Sequence, residues 1–430
     1  MESAKAWIHR CRKHCQNKLW KRTKDQSALS LITSLYLNHH DDDGLHDPLQ
    51  FFRFLLLKSK SEPELALSLH QCIVRCGFES DTSLGSDLID FYMNFHKLEE
   101  INKVFSVLDQ SNIALWSLVI SAHVNLGYSH MAIVLYTKMV QMSIEPTEHV
   151  LVSIFNACAT SLDLNHGMSI HLHAIERGLD LNVYVGNSLI HMYLQCGKPD
   201  LAGRLFAKLP FRTVVTWNSL MAGQIRNELI DDAILLFIAM HHDKVIEPND
   251  VSFSSVLKAC AIATSIELGL KIHGYYIENG HKMNSHVGNS LINMYVKCGN
   301  LDDACIIFDM LSNRTVVTWN TMIGGYSQHG HHHKVLELVH KMQEDNWKLN
   351  AITIVCAIKA CSSMEAINTG EILHTSIVEN NYESNVFIGN GLIVLYANHE
   401  RIIDALSIFH SLPQRSVSTW NSIIGAFALH

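Results

Sequence analysis

Apolar positions along this chain recur with the period of an α-helix. Between 301 and 311, Ala304, Ile307, Phe308 and Leu311 fall at i, i+3, i+4 and i+7, and Ala233, Leu236, Phe237 and Met240 do the same. That spacing gathers apolar side chains on one stripe and leaves the opposite face polar. Asp231-Asp232 and Asp302-Asp303 stand where these helices begin, and carboxylates there suit the positive end of the helix dipole. Gly197, Gly299 and Gly330 mark turns between paired helices. Pro146, Pro210 and Pro248 fall near segment ends, where a helix must stop.

The pattern also repeats on a longer scale. Trp116, Trp217, Trp319 and Trp420 are separated by 101, 102 and 101 residues. The phrase Val-Val-Thr-Trp-Asn at 214–218 returns at 316–320, and Ser-Thr-Trp-Asn stands at 418–421. Val-Gly-Asn-Ser-Leu-Ile at 185–190 returns at 287–292, and as Ile-Gly-Asn-Gly-Leu-Ile at 388–393. Cys158, Cys260 and Cys361 keep the same step, as do His70, His171, His273 and His374. Each unit of about 101 residues divides into pieces of 35, 35 and 31, each reading as two helices. No piece can bury its stripe alone, whereas stacking buries them all. The predicted fold is all-α, a right-handed superhelical α-solenoid of helix-turn-helix repeats.

Composition narrows the class. With 48% hydrophobic and 17% charged residues among 430, the chain can build a core. No apolar run is long enough for a transmembrane helix, since the run at 51–57 is interrupted by Arg53 and stops at Lys58. The 11 cysteines, an odd number without a secretory apolar segment, point to free thiols rather than a disulfide framework. Cys158, Cys260, Cys361, Cys196 and Cys298 are expected to be small buried residues, and the tryptophans to pack between helices.

Net charge is −8, but residues 1–24 hold eight basic groups (Lys5, Arg10, Arg12, Lys13, Lys18, Lys21, Arg22, Lys24) against Glu2 alone. The remaining 406 residues carry −15, which works against nucleic-acid binding by bulk phosphate attraction. The basic start resembles an organelle transit peptide, mitochondrial in the first instance and chloroplast as the alternative. His9, Cys11, His14 and Cys15 have metal-ligand chemistry but poor zinc spacing. His331-His332-His333 reads as exposed polar sequence. The four periodic histidines lie too far apart for one metal site, so packing or a bonded carbonyl is expected. No metal and no cofactor is predicted.

These phrases resemble the pentatricopeptide repeat family, in its plant-type arrangement of P, L and S repeats. The likeness covers 47–416 as eleven repeats: L at 47–81, S at 82–112 and P at 113–147, then 148–182, 183–213 and 214–249, then 250–284, 285–315 and 316–350, then L at 351–385 and S at 386–416. A P repeat opens at 417 and is cut off at His430, and 25–46 reads as a degenerate repeat or linker. The resemblance implies single-stranded RNA binding, one base per repeat, along the first helices. An apolar second residue, here Val215 or Val317, would pack on a base, while the fifth and last residues read its edge.

Carried onto this sequence, Asn218 with Asn249 and Asn320 with Asn350 imply cytidine, as does Asn390 with Ser416. Asn187 with Thr213 and Asn289 with Thr315 lean to pyrimidine, Ser86 with Asn112 leans to adenine, and Ser117 with Thr147 gives no clear letter. Val152, Ser254 and Val355 occupy the fifth place of L repeats, and two of these cannot hydrogen-bond by side chain. Asn218, Asn320 and Asn421 directly follow a Trp at a helix start, where an Asn can also cap the helix.

Many relatives with such triplets end in a zinc deaminase that converts cytidine to uridine. That site needs His-x-Glu and Cys-x-x-Cys, and neither spacing occurs here. Phosphate-loop and Gly-x-Ser-x-Gly signatures are also absent. The chain therefore reads as an RNA-binding adaptor rather than an enzyme, with C-to-U editing or another processing step performed by a partner deaminase or editing-complex protein in trans. The alternatives are a protein-binding repeat scaffold or a remnant of a longer editing factor. The last segment is expected to leave Ile423, Ile424 and Phe427 facing outward, because of truncation or for a partner to cover.

Overall fold

The computed structural model describes residues 48–58, 63–75, 77–243 and 246–429. The basic segment 1–24, its Cys and His residues, and the segment 25–46 lie outside the described residues. Every regular element among the described residues is an α-helix. They fall into two compact units that meet in sequence at Arg212 and Thr213.

The first unit comprises α1 (Pro48–Lys58), α2 (Pro63–Arg75), α3 (Thr82–Asn94), α4 (Leu98–Val107), α5 (Ile113–Asn125), α6 (Ser129–Gln141), α7 (Glu148–Ser161), α8 (Leu164–Glu176), α9 (Val183–Gln195) and α10 (Pro199–Lys208). The second comprises α11 (Val214–Arg226), α12 (Ile230–His242), α13 (Asp250–Ala263), α14 (Ile266–Glu278), α15 (Ser285–Lys297), α16 (Leu301–Met310), α17 (Val316–Gln328), α18 (His332–Glu344), α19 (Ala351–Ser363), α20 (Ile367–Glu379), α21 (Val386–Asn398), α22 (Ile402–Ser411) and α23 (Val417–Leu429). Within each unit the odd-numbered helices pack on one another in succession and form one layer. The even-numbered helices form a second layer, packed against first helices. Each unit is thus an α-solenoid stack.

Local chemistry sets the helix starts. From α3 onward, the residue before every first helix lends a side-chain oxygen to a backbone N–H of the opening turn. Asp81, Asn182, Asn284 and Asn385 do so, for example. These caps satisfy amides that the helix itself leaves unpaired. After α9, α15 and α17 the chain turns through Gly197, Gly299 and Gly330 at φ of 68°, 79° and 77°, where a side chain would be strained.

The core runs between the layers. Trp116 and Trp319 are fully buried and meet Phe105 and Phe308 edge-on, with ring centroids 4.9 Å apart. Trp217 is buried, whereas Trp420 in α23 is half exposed. In the same helix Ile424 and Phe427 are exposed, but Ile423 is buried against the stack, contrary to the sequence expectation. Cys158, Cys260 and Cys361 are fully buried. Cys196 and Cys298 are only half-buried, because each ends a helix beside the turn glycine rather than facing the core.

Candidate nucleic-acid interface

A helix packed on one side has a free face, and its register follows from the burial pattern. In the second unit the third residue of each first helix (Thr216, Ser252, Val287, Thr318, Thr353, Ile388, Thr419) is buried. The second residue therefore points away from the core. Val215 is 62% exposed, Val317 60%, Ile352 60% and Phe387 78%, and Val251 is also exposed. In the first unit Tyr184 holds this place and is 72% exposed. Only Val215 and Val317 were read from the sequence. The others are legible only once every first helix is counted from its cap.

One turn further along the same face lies the fifth residue. Asn218 and Asn320 are half-buried there and cap nothing. The caps are the residues ending the preceding pieces, Thr213 and Thr315. Each forms a capping box with the third residue, Thr216 or Thr318. Asn249 and Asn350 cap α13 and α19 in turn.

The structure brings Asn218 and Asn249 together: Asn218 Nδ2 donates to Asn249 Oδ1 at 3.1 Å. Asn320 and Asn350 are linked through the Thr353 hydroxyl, which lies 2.7 Å from Asn320 Oδ1 and 3.0 Å from Asn350 Oδ1. Asn390 pairs differently, since its Nδ2 donates to Ser418 Oγ at 3.0 Å while Ser416 caps α23 through Thr419. The Oδ1 atoms of Asn187, Asn289 and Asn390 are buried without a hydrogen-bond partner.

In the first unit Asn112 and Thr147 cap α5 and α7. Ser86 donates to its own helix at Thr82 O, 2.8 Å, and Ser117 is half-buried on α5. Asn421 is exposed on α23. In the long repeats Val152 and Val355 are half-buried and Ser254 is buried with its hydroxyl unpaired.

Charge sorts between the layers of the second unit. Its first helices carry Arg226, Lys258, Lys297 and Lys359, all exposed, against Asp250 alone. Asp250 is engaged by Asn284 Nδ2 at 2.5 Å and by the Tyr276 hydroxyl at 3.4 Å. The second helices of the unit carry twelve acidic residues against Lys271, Lys334 and Lys341. Within this unit the negative charge therefore resides mainly away from the face that bears the apolar second residues and the amides. Summing charge along the chain hides this. In the first unit charge does not sort in this way, and Arg53 there is paired with Asp87. Among the described residues no group of three His, Cys, Asp or Glu could hold a metal ion.

The periodic histidines are bonded to tyrosines, not to carbonyls. Nδ1 of His70, His171, His273 and His374 lies within 2.8 Å of the hydroxyl 22 residues later. They knit second helices to the next first helix and leave the amide-bearing face free.

Comparison with known proteins agrees with this architecture. The PPR repeat family model matches residues 212–262 and 314–363. A PPR repeat model matches 114–144, 187–211 and 289–316. A chloroplastic pentatricopeptide repeat-containing protein of Arabidopsis thaliana is 30% identical over 87% of this chain and 60% of its own length. A second chloroplastic relative from the same plant is 31% identical over 90% of this chain and 48% of its own. A mitochondrial one is 30% identical over 85% and 36%. The chain thus spans 36–60% of the length of these three relatives. The crystal structure of the pentatricopeptide repeat protein PPR10 in complex with an 18-nt psaJ RNA element matches 92% of this chain and 58% of that one. The match has a TM-score of 0.68 at 18% identity, a likeness of fold. With helix pairs, repeat register and relatives in agreement, the chain belongs to the pentatricopeptide repeat family.

Proposed function

We propose that this protein binds single-stranded RNA in a sequence-selective way within organelle RNA metabolism, and that it positions a transcript for C-to-U editing by a deaminase supplied in trans. The observation that carries the reading is an exposed apolar second residue on α11, α13, α17, α19 and α21 of the second unit, followed one turn later by a half-buried amide on α11, α17 and α21. Unstacked bases need an apolar plane and a hydrogen-bonding edge at a regular rise, and this face offers both. The exposed Arg226, Lys258, Lys297 and Lys359 suit a phosphate backbone. PPR10 was crystallised with an RNA element, and relatives carry chloroplastic or mitochondrial names, which supports an organelle RNA as ligand. In this reading the chain is an adaptor of the P, L and S kind and supplies no catalytic group. The pairs Asn218 with Asn249 and Asn320 with Asn350 favour cytidine. Gel shift against pyrimidine-rich single strands, with Asn218 and Asn320 changed to Thr, tests it. Altered base preference is expected, and unchanged preference with intact binding overturns base reading.

A second reading, a protein-binding scaffold, draws on a different face. In the second unit Ile277 and Val378 are exposed on α14 and α20, one triplet of repeats apart. Periodic apolar residues of this kind suit a helical or extended peptide. Its test is whether Ile277→Glu with Val378→Glu leaves RNA affinity intact while abolishing capture of a deaminase-type partner.

A further inference from the structure

The amides at 218 and 249 are not free to turn either edge outward. Asn249 Oδ1 accepts from the backbone N–H groups of Val251 and Ser252, both at 3.1 Å. That oxygen can face only donors, so the Asn218 atom 3.1 Å away must be its amide nitrogen. The Asn218 oxygen is then turned inward, where the Ser252 hydroxyl lies 2.7 Å from it. Ser252 is fully buried, and its oxygen already accepts the Asn249 backbone N–H at 3.2 Å. Its one proton therefore goes to an amide oxygen, and Asn218 is nearer than Asn249 at 3.1 Å. What remains outward from both asparagines is N–H.

The same device recurs one triplet later. Thr353, also fully buried, sits 2.7 Å from Asn320 Oδ1, while Asn350 Oδ1 accepts the Thr353 N–H at 3.1 Å. It is missing where the neighbouring pieces differ. The Thr318 and Thr419 hydroxyls face Thr315 and Ser416 at 3.1 Å, and the Asn289 and Asn390 oxygens stay buried without a donor.

We infer that Ser252 and Thr353, each the third residue of the following repeat, are positioning residues that lock Asn218 and Asn320 so that these two repeats present donors alone and select cytidine over uridine. The inference rests on the RNA reading above and deepens it. Cytosine offers two adjacent acceptors, O2 and N3, whereas uracil places an N–H at N3, which would confront the amide N–H. A hydroxyl supplied by the next repeat thus sets the letter read by the one before.

The test uses the full chain, a randomised single-stranded RNA pool, and titration of RNA pairs differing by C or U at one nucleotide. That nucleotide is the one whose preference moves in Asn218→Thr. Ser252→Ala is expected to lower the C-over-U affinity ratio there by about three- to tenfold, the range of one neutral hydrogen bond. Ser252→Thr is expected to keep it, because Thr353 fills the equivalent place. Thr353→Val should lower the ratio at the nucleotide read through Asn320, leaving the first unchanged. The ratio is indifferent to a partly unfolded sample, which scales both affinities alike. If Asn218→Thr moves the preference but Ser252→Ala and Thr353→Val leave it unchanged, the inference falls and the RNA reading stands. If the wild type binds no RNA, or Asn218→Thr moves nothing, both fall.

Discussion

His273 Nδ1 and the Tyr295 hydroxyl lie 2.8 Å apart, joining α14 to α15. The tie recurs as His70 with Tyr92 (2.8 Å), His171 with Tyr193 (2.6 Å) and His374 with Tyr396 (2.8 Å). Burial holds each of these imidazoles below the ordinary histidine range, with Asp303 opposing weakly at His273. Burial, with a further push from Asp303, raises Tyr295 to about 12, so its proton stays on and donates to Nδ1. The unfolded chain therefore takes up protons more readily than the folded one. Stability from these ties is full above about pH 6.5 and is lost as pH falls through the lowered folded values. Thermal midpoints measured from pH 7.5 to 5 are expected to fall, and less steeply in His273→Leu. A midpoint that rises on acidification would contradict this.

Tyr295→Phe removes the hydroxyl but not the ring. The expected cost is about 1–2 kcal/mol, since His273 Nδ1 loses its donor in a half-buried site. Urea denaturation with an unchanged m-value would measure it.

Arg314 closes the end of α16. Its Nε donates to Phe308 O at 3.0 Å and a terminal nitrogen to Asp309 O at 3.3 Å, while the guanidinium lies 4.7 Å over the Phe308 ring. Arg212 and Arg415 repeat the arrangement. Arg314→Met should cost about 1–2 kcal/mol, and Arg314→Lys should not restore it, because an ammonium cannot donate as a fork while stacked. Chemical denaturation of both variants checks this.

Lys258 and Lys359 stand at the ninth residue of their helices, seven residues beyond the exposed Val251 and Ile352 and so on the same face. If phosphates follow that face, Lys258→Ala with Lys359→Ala should lower affinity for all single strands alike. The salt dependence of log K should become shallower by about 0.7 per lysine. Base preference should not change.

Much of the fold was legible before coordinates. Stripes such as Ala304, Ile307, Phe308 and Leu311 are buried as their spacing required, because helical period and burial are the same fact viewed twice. The sequence left open whether Asn218 caps its helix: Asn218 follows Trp217 inside α11, and Thr213 is the cap. Asn, Thr and Ser are alike as caps, so identity alone could not place the helix start. Cys196 resembles Cys158 in recurrence but sits at a helix end, and recurrence does not report depth. The Ser252 bond to Asn218 spans 34 residues and joins two repeats, which no local pattern displays. Charge sorting in the second unit likewise needs to be known by layer.

The central claim is that RNA lies along the first helices, against the apolar second residues. Ultraviolet crosslinking of the full chain to a pyrimidine-rich single strand, followed by mass spectrometry of the nucleotide-bearing peptides, tests it most directly. Adducts are expected on the opening turns of α11, α13, α17, α19 and α21, at or beside Val215, Val251, Val317, Ile352 and Phe387. Adducts confined to the second helices, around Ile277 and Val378, would contradict it.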